Sequence, residues 1–182
     1  EAFSADDYAQ ALAQRRSGAA ALALPLSLYV HIPFCESLCY YCACNKIITK
    51  RHERAASYLQ YLEREMALHA AQLGTGRVVS QLHLGGGSPT FFTDDELARL
   101  LALLGRYFTL APGGEYAIEV DPRTVDAGRL ATLRQLGFNR ISFGVQDFDP
   151  EVQARVMRAL GFAIKPCPDD PDFKLVTRAL QG

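Results

Sequence analysis

Ser27-Leu-Tyr29-Val-His31-Ile-Pro33-Phe34-Cys35-Glu-Ser-Leu-Cys39-Tyr-Tyr41-Cys42-Ala-Cys44 reads as a strand that runs straight into a loop of thiols. Its first six residues alternate in the manner of a strand. Four cysteines then fall within ten residues, the first three spaced Cys-x3-Cys-x2-Cys. Three thiolates from one short loop can hold three corners of a [4Fe–4S] cube and leave the fourth iron open. An electron-transfer ferredoxin supplies Cys to all its irons, so a site of three points to chemistry at the open iron. The alternative is zinc, which takes four tetrahedral ligands, usually from two knuckles well separated in sequence. Four cysteines this close would surround one zinc ion poorly.

Outward from this loop, strand and helix patterns alternate. A short leading helix is expected over 5–16. A helical period of Tyr58, Leu59, Leu62, Met66 and Ala70 marks a helix from about Arg54 to Leu73, stopped by Gly74 and Gly76. A second strand, Val78–Leu84, ends in Gly85-Gly86-Gly87-Ser88-Pro89-Thr90. Thr93-Asp-Asp-Glu96 is a capping box opening a helix whose apolar face is Leu97, Leu100, Leu101 and Leu104. A third strand over Tyr116–Val120, a helix from about Asp126 to Leu136 stopped by Gly137, and a fourth strand over Ile141–Val145 follow. A further helix is expected from Asp149 or Pro150 to about Leu160.

This alternation predicts an α/β fold of parallel strands joined by crossovers. The strands are nearly all apolar, as expected where both faces are covered. The chemically suggestive groups, namely the cysteine loop, Gly85–Thr90, Glu119 and Gln146, lie at or just after strand C-terminal ends, the edge where βα folds gather their active sites.

Composition removes other classes. With 182 residues and 49% hydrophobic content the chain has the size of about one domain. A formal net charge of −1 without a basic run gives nucleic-acid binding little support. No stretch reaches the ~20 apolar residues of a membrane span, and the acidic start has no signal-peptide pattern. Crowded thiols, and Cys167 with no obvious partner, suit a reducing compartment, so a cytoplasmic location is expected.

Together, Tyr29-Val-His31-Ile-Pro33-Phe34-Cys35-x3-Cys39-x-Tyr41-Cys42-x-Cys44, Gly-Gly-Gly-Ser-Pro-Thr, Ile118-Glu119-Val-Asp121-Pro122-Arg123 and Gly144-Val-Gln146-Asp147 resemble oxygen-independent coproporphyrinogen III oxidases. That family belongs to the radical S-adenosylmethionine superfamily. The resemblance runs from about Leu26 to Arg158. Cys-x3-Cys-x2-Cys alone specifies only the superfamily; Cys44 and the Tyr-x-His-Ile-Pro-Phe lead-in narrow it to this branch.

The resemblance implies that Cys35, Cys39 and Cys42 ligate a [4Fe–4S] cluster, with Tyr41 beside it. The open iron would chelate S-adenosylmethionine, and a second S-adenosylmethionine is allowed. Reductive cleavage would give a radical that takes hydrogen from a porphyrinogen propionate, and loss of carbon dioxide and an electron would leave a vinyl group. Coproporphyrinogen III is thus the implied substrate, and a flavodoxin or ferredoxin the implied reductant. Cofactor contacts carry over to Tyr29, Gly86, Gly87, Ser88, Glu119, Gln146 and Arg158, the last twelve residues after Gln146.

Plainer readings stand beside these. The glycines could form a tight turn, or their amides could bind a ligand's carboxylate or ammonium end. Glu119 could be a solvated strand-end carboxylate, Gln146 a helix cap, Arg158 a surface residue and Tyr29 an ordinary strand aromatic. Cys44 belongs to the family pattern without being a ligand, which makes it a candidate catalytic residue; its plain alternative is a small buried side chain. His31 is expected to shape the loop through a hydrogen bond. His52, His69 and His83 join no recognisable constellation and read as structural or surface residues.

After Arg158 the resemblance ends. Residues 161–182 form a divergent tail, with Pro and Asp concentrated over 166–172 and a short helix near the end. The expected organisation is a leading helical segment over 1–25, a partial parallel (β/α) barrel over 26–160 with about four of six βα units, and this tail. A four-stranded half barrel would leave an unpaired edge. A haem chaperone related to the family, or an inactive half barrel that binds a cluster without turnover, are the competing functions. The chaperone relatives lack the Cys44-type cysteine.

Overall fold

Val30 and Ile32 of the first strand are buried, whereas Tyr29 and His31, which alternate with them, are not, and that two-residue period organises the whole sheet. The computed structural model describes residues 3–17, 24–38, 44–121, 123–143, 149 and 151. Within these, β1 (Leu26–Ile32), β4 (Arg77–Gly86), β5 (Phe108–Glu119) and β6 (Arg140–Ser142) form one parallel sheet in the order β1-β4-β5-β6. A separate ladder of two-residue strands, β2 (Phe34–Cys35) and β3 (Ile47–Ile48), pairs Phe34 with Ile47 and Cys35 with Ile48. The parallel α/β architecture is the one expected.

Among the described residues four helices accompany the strands: α1 (Ala5–Ser17), α2 (Glu53–Leu73), α3 (Asp94–Tyr107) and α4 (Ala127–Gln135). In α2 the buried residues Leu59, Leu62, Met66, Ala70 and Leu73 recur every three or four positions and so line one face. The expected capping box opens α3: Thr93 Oγ1 accepts from the Glu96 amide at 3.2 Å, and Glu96 Oε2 accepts from the Thr93 amide at 2.8 Å. The apolar face of α3 falls on Leu97, Leu100, Leu103 and Leu104, with Leu101 at its margin.

One sheet face packs into the core with these helices. Leu28, Val30 and Ile32 of β1 stand in register with Leu82, Leu84 and Gly86 of β4, and Leu82 and Leu84 with Tyr116 and Ile118 of β5. The other face carries Ser27, Tyr29 and His31, then Gln81, His83 and Gly85, then Glu115, Ala117 and Glu119, then Arg140 and Ser142. Most of that second row is polar and partly open. The expectation that both sheet faces are covered is therefore corrected: the strands are amphipathic, and their polar row is the site side.

The third strand also begins earlier than Tyr116. Phe108, Thr109 and Leu110 pair with Arg77, Val78 and Val79, then the register jumps so that Glu115 opposes Gln81. Ala111–Gly114 bulges out between, with Gly113 at φ 75°. Below the sheet, Arg77 is buried and donates to the carbonyls of Arg15 (2.9 Å) and Leu24 (3.3 Å), tying the end of α1 to the start of β4. No described helix is long and apolar enough to cross a membrane.

Candidate active site at the strand ends

The first thiol is set by its neighbours. Phe34 is 3% exposed and sits against Tyr58 of α2, Phe91 and Phe92, with ring centroids 5.4, 5.1 and 6.4 Å away. Tyr58 donates to the His31 carbonyl at 2.6 Å, and burial, then Glu65, then Tyr29, push its phenol up. The loop is closed at its base by two backbone bonds, Ile47 N–H to Pro33 O (2.7 Å) and Thr49 N–H to Cys35 O (2.9 Å). Cys35 thus leaves a fixed platform. His31 reaches from the open face to the carbonyl of Asn45, with its Nε2 2.9 Å away, which is the loop-shaping role expected of it.

Beside this loop the triple glycine makes a close approach. A Cβ on Gly87 would lie 2.7 Å from Phe34 O and 2.8 Å from Pro33 C and O, so only glycine lets the two backbones touch. The Gly87 and Ser88 amides donate to Ile32 O and Phe34 O, both at 2.8 Å, and the Gly86 amide points at Glu119 Oε2 at 3.3 Å. These three amides are engaged within the protein, two of them by the close approach of the turn to the strand before the cysteine loop. Gly86 has φ 113°, and a Cβ there would meet the His31 ring at 2.7 Å.

Glu119, at the end of β5, takes Gly86 N–H on one oxygen and His83 Nε2 on the other at 3.0 Å. His83 stacks on Tyr29, with ring centroids 5.7 Å apart and planes 15° apart, and Tyr29 Oη lies 3.2 Å from His31 Nδ1. Gly85 sits beneath this group, where a Cβ would be 3.0 Å from both Glu119 Oε1 and the Tyr29 ring. Partial burial, then the negative charges of Glu119 and Cys44, raise the Tyr29 phenol. Cys44 therefore lies within electrostatic reach of this group. It is exposed, which removes the buried-thiol alternative.

A second bracing network ties the neighbouring loops. Ser88 Oγ, Thr90 Oγ1 and Thr124 Oγ1 are linked at 3.3 and 2.8 Å, and Thr124 Oγ1 donates to Asp121 O at 2.9 Å. Arg129 of α4 donates to the carbonyls of Thr90 and Phe92. Asp121 receives Arg123 through Nε (3.0 Å) and Nη2 (2.6 Å), and that guanidinium also reaches Ser37 Oγ of the cysteine loop at 3.5 Å. Burial pushes the Asp121 carboxyl up, but the hydrogen bonds and charge of Arg123 outweigh it and hold the group below the usual carboxylate value.

Of the residues expected at the site, Tyr29, Cys35, Cys44, Gly86, Gly87, Ser88 and Glu119 come to this one edge. Cys39, Tyr41, Cys42, Gln146 and Arg158 lie outside the described residues, as does the helix expected from 149–150 onward apart from Asp149 and Glu151. Among the described residues no three His, Cys, Asp or Glu side chains converge as a metal cage. His83, expected to be structural or surface, stands beside the candidate site in contact with Tyr29 and Glu119. The signal was its place two residues before Gly85, on the same alternating row as Tyr29 and His31. His52, stacked on Phe91 at 4.5 Å, and His69, 3.3 Å from the Tyr8 hydroxyl, are structural as expected.

The family model of the radical S-adenosylmethionine superfamily matches residues 29–163. The chain is 53% identical over 136 residues to the oxygen-independent coproporphyrinogen III oxidase of Pseudomonas aeruginosa, covering 74% of this chain and 30% of that protein. It is likewise 53% identical over 134 residues to the enzyme of the same name from Escherichia coli, covering 74% and 29%. A solved structure of Escherichia coli coproporphyrinogen III oxidase, described as a radical S-adenosylmethionine enzyme, superposes with a TM-score of 0.72 at 47% identity. It covers 86% of this chain and 34% of that one. The chain thus spans about a third of the length of the relatives it matches, 30% and 29% for the two named.

Proposed function

Since the chain belongs to the radical S-adenosylmethionine superfamily, we propose that it carries the cofactor-binding part of an oxygen-independent coproporphyrinogen III oxidase. The reaction is oxidative decarboxylation of coproporphyrinogen III propionates to vinyl groups, a step of haem biosynthesis. The observation that carries this reading is the meeting of the cysteine-loop base with the Tyr29–His83–Glu119 group at one edge of a parallel sheet.

The family uses a [4Fe–4S] cluster and S-adenosylmethionine, and the donor set here suits them. Cys35 stands on a rigid ladder at the strand ends, and Cys39 and Cys42 follow it at the required spacing. With its fourth iron open, the cluster would be held by these three. When bound, cluster and S-adenosylmethionine supply a carbon radical able to abstract hydrogen from the propionate; a second S-adenosylmethionine belongs to the same reading.

This chain's own residues position the cofactor. Glu119, held from both sides, offers carboxylate oxygens to an ammonium or hydroxyl. Gly85 and Gly86 keep Glu119, Tyr29 and His31 in contact. Tyr29, Gly87 and Ser88 would line the cofactor from β1 and the glycine turn, with Tyr41, Gln146 and Arg158 completing the set. Exposed Cys44 is the candidate catalytic thiol of this reading. The unit doing this is 26–160, with 1–25 leading and 161–182 trailing. A cytoplasmic, reducing location and a flavodoxin or ferredoxin donor complete the reading.

The test is anaerobic iron–sulfide reconstitution of the full chain, with paramagnetic resonance of the reduced protein with and without S-adenosylmethionine. A [4Fe–4S] signal that shifts on addition supports an open iron. A cluster blind to the cofactor, or no cluster, overturns the proposal.

A further inference from the structure

We propose that His83 is a positioning residue that fixes Glu119 and Tyr29 in the geometry that receives S-adenosylmethionine; this rests on the function proposed above. The argument begins with the strand period. His83 stands in register with Tyr29 on β1 and Ala117 on β5, in the middle of the polar row. Ala117, opposite it, is small and leaves the imidazole room to lean toward the next outward-facing residue of β5, Glu119.

The two contacts constrain different things. A carboxylate accepts, so the hydrogen in the 3.0 Å pair lies on His83 Nε2, and it fixes Oε1 of Glu119. The Gly86 amide, 3.3 Å from Oε2, fixes the other oxygen. The carboxylate plane is thereby set by one side chain and one backbone group from the same strand. Meanwhile the stacked face of His83, 5.7 Å from the Tyr29 centroid, limits how far that phenol can swing. His83 is half-open, with a side-chain exposure of 35%, and Glu119 is at 40%. A purely packing role does not call for an imidazole at so open a place; an aliphatic side chain would fill it as well.

Three variants separate positioning from packing. His83→Phe keeps a stacking ring and removes the donor. His83→Gln keeps an N–H near the place of Nε2 and removes the ring. His83→Asn puts its amide too far back. The readout is the dissociation constant of S-adenosylmethionine for the reconstituted full chain by equilibrium dialysis, with iron content and circular dichroism as controls for folding.

His83→Phe and His83→Asn are expected to bind about tenfold more weakly, the loss of one hydrogen bond to a charged group. His83→Gln is expected to recover most of that loss. In a Glu119→Ala background His83→Phe should cost nothing further, because its effect passes through Glu119. Equal affinity in wild type and His83→Phe, or an undiminished loss in the Glu119→Ala background, overturns the role of His83 alone. Absence of binding by wild type overturns it together with the functional reading. Loss of iron and ellipticity in all three variants without rescue by Gln would make His83 a structural residue and overturn the proposal as well.

Discussion

Replacing Gly87 with alanine puts one methyl group where two backbones meet, and the consequences can be worked through. The new Cβ would lie 2.7 Å from Phe34 O and 2.8 Å from Pro33 C and O, all backbone atoms with no rotamer to turn away. The strands must therefore separate at the place where Gly87 N–H meets Ile32 O and Ser88 N–H meets Phe34 O. Overpacking of this kind costs about 1–3 kcal/mol, and two weakened backbone bonds bring the total to about 2–6 kcal/mol. A domain holds about 5–15 kcal/mol in all, so the variant should be close to the edge of folding. The matched control is Gly105→Ala, in α3, where a Cβ meets nothing within 4 Å. There the change should stabilise by up to about 1 kcal/mol, because alanine is the better helix former. The assay is urea unfolding followed by circular dichroism. With a slope of about 1–3 kcal/mol per molar, the Gly87→Ala midpoint should fall by roughly 1–3 M, and the Gly105→Ala midpoint should rise slightly. Iron uptake on reconstitution should fall with Gly87→Ala, since Phe34 and Cys35 move together. Coincident midpoints for Gly87→Ala and wild type would refute the claim that close backbone approach dictates this glycine.

Phe34→Ala removes a ring in contact with three other aromatic rings and should cost about 3–5 kcal/mol by chemical denaturation, with Phe34→Leu costing less. Thr93→Ala deletes one half of the α3 capping box and should destabilise by about 1 kcal/mol in the same experiment. Asp121, held low by Arg123, contributes stability that is complete above its unfolded pKa of about 3.9 and is lost as the pH falls through its lower folded value. In Arg123→Gln the backbone amide of residue 123 still lowers the Asp121 carboxyl against burial, while the guanidinium's hydrogen bonds and charge are gone, so the slope of stability between roughly pH 3 and 5 should flatten, as read from denaturation at stepped pH. The loss at neutral pH should stay under about 1 kcal/mol, because the Arg123 side chain is 71% exposed.

Periodicity and punctuation made much of this legible. The helix over Glu53–Leu73, the capping box at Thr93–Glu96 and the stop at Gly137, which has φ 102°, each follow from local chemistry that tertiary contacts leave intact. The strand ends were legible too, because a glycine run or an acidic residue after an apolar segment marks where a strand gives way to a loop. Less legible was anything set by register across strands. The Phe34–Ile47 ladder is two residues long and has no period to detect. The early part of β5 is hidden behind Pro112-Gly113-Gly114, which reads as a loop and is in fact a bulge inside a continued strand. His83 looked isolated along the chain. Its partners, Tyr29 and Glu119, lie 54 and 36 positions away and meet it only once parallel pairing is known.

The arrangement also explains how the cysteine loop can be built on so slight a ladder. Phe34 and Cys35 are adjacent, so the strand period sends one side chain into the core and the next toward the open side. Phe34 takes hold of α2 through Tyr58 and of the turn after β4 through Phe91 and Phe92, both at most 4% exposed. The Tyr58 hydroxyl then fixes His31 O, and the His31 ring fixes Asn45 on the far side of the loop. Both ends of the cysteine loop are therefore referred to the same core, one through an aromatic cluster and the other through a histidine. The placement of Cys35 follows from helix packing beneath the sheet, while Glu119 and His83 above it remain partly exposed. Stability and chemistry are divided between the two faces of the strands, and Phe34–Cys35 is the point at which they join.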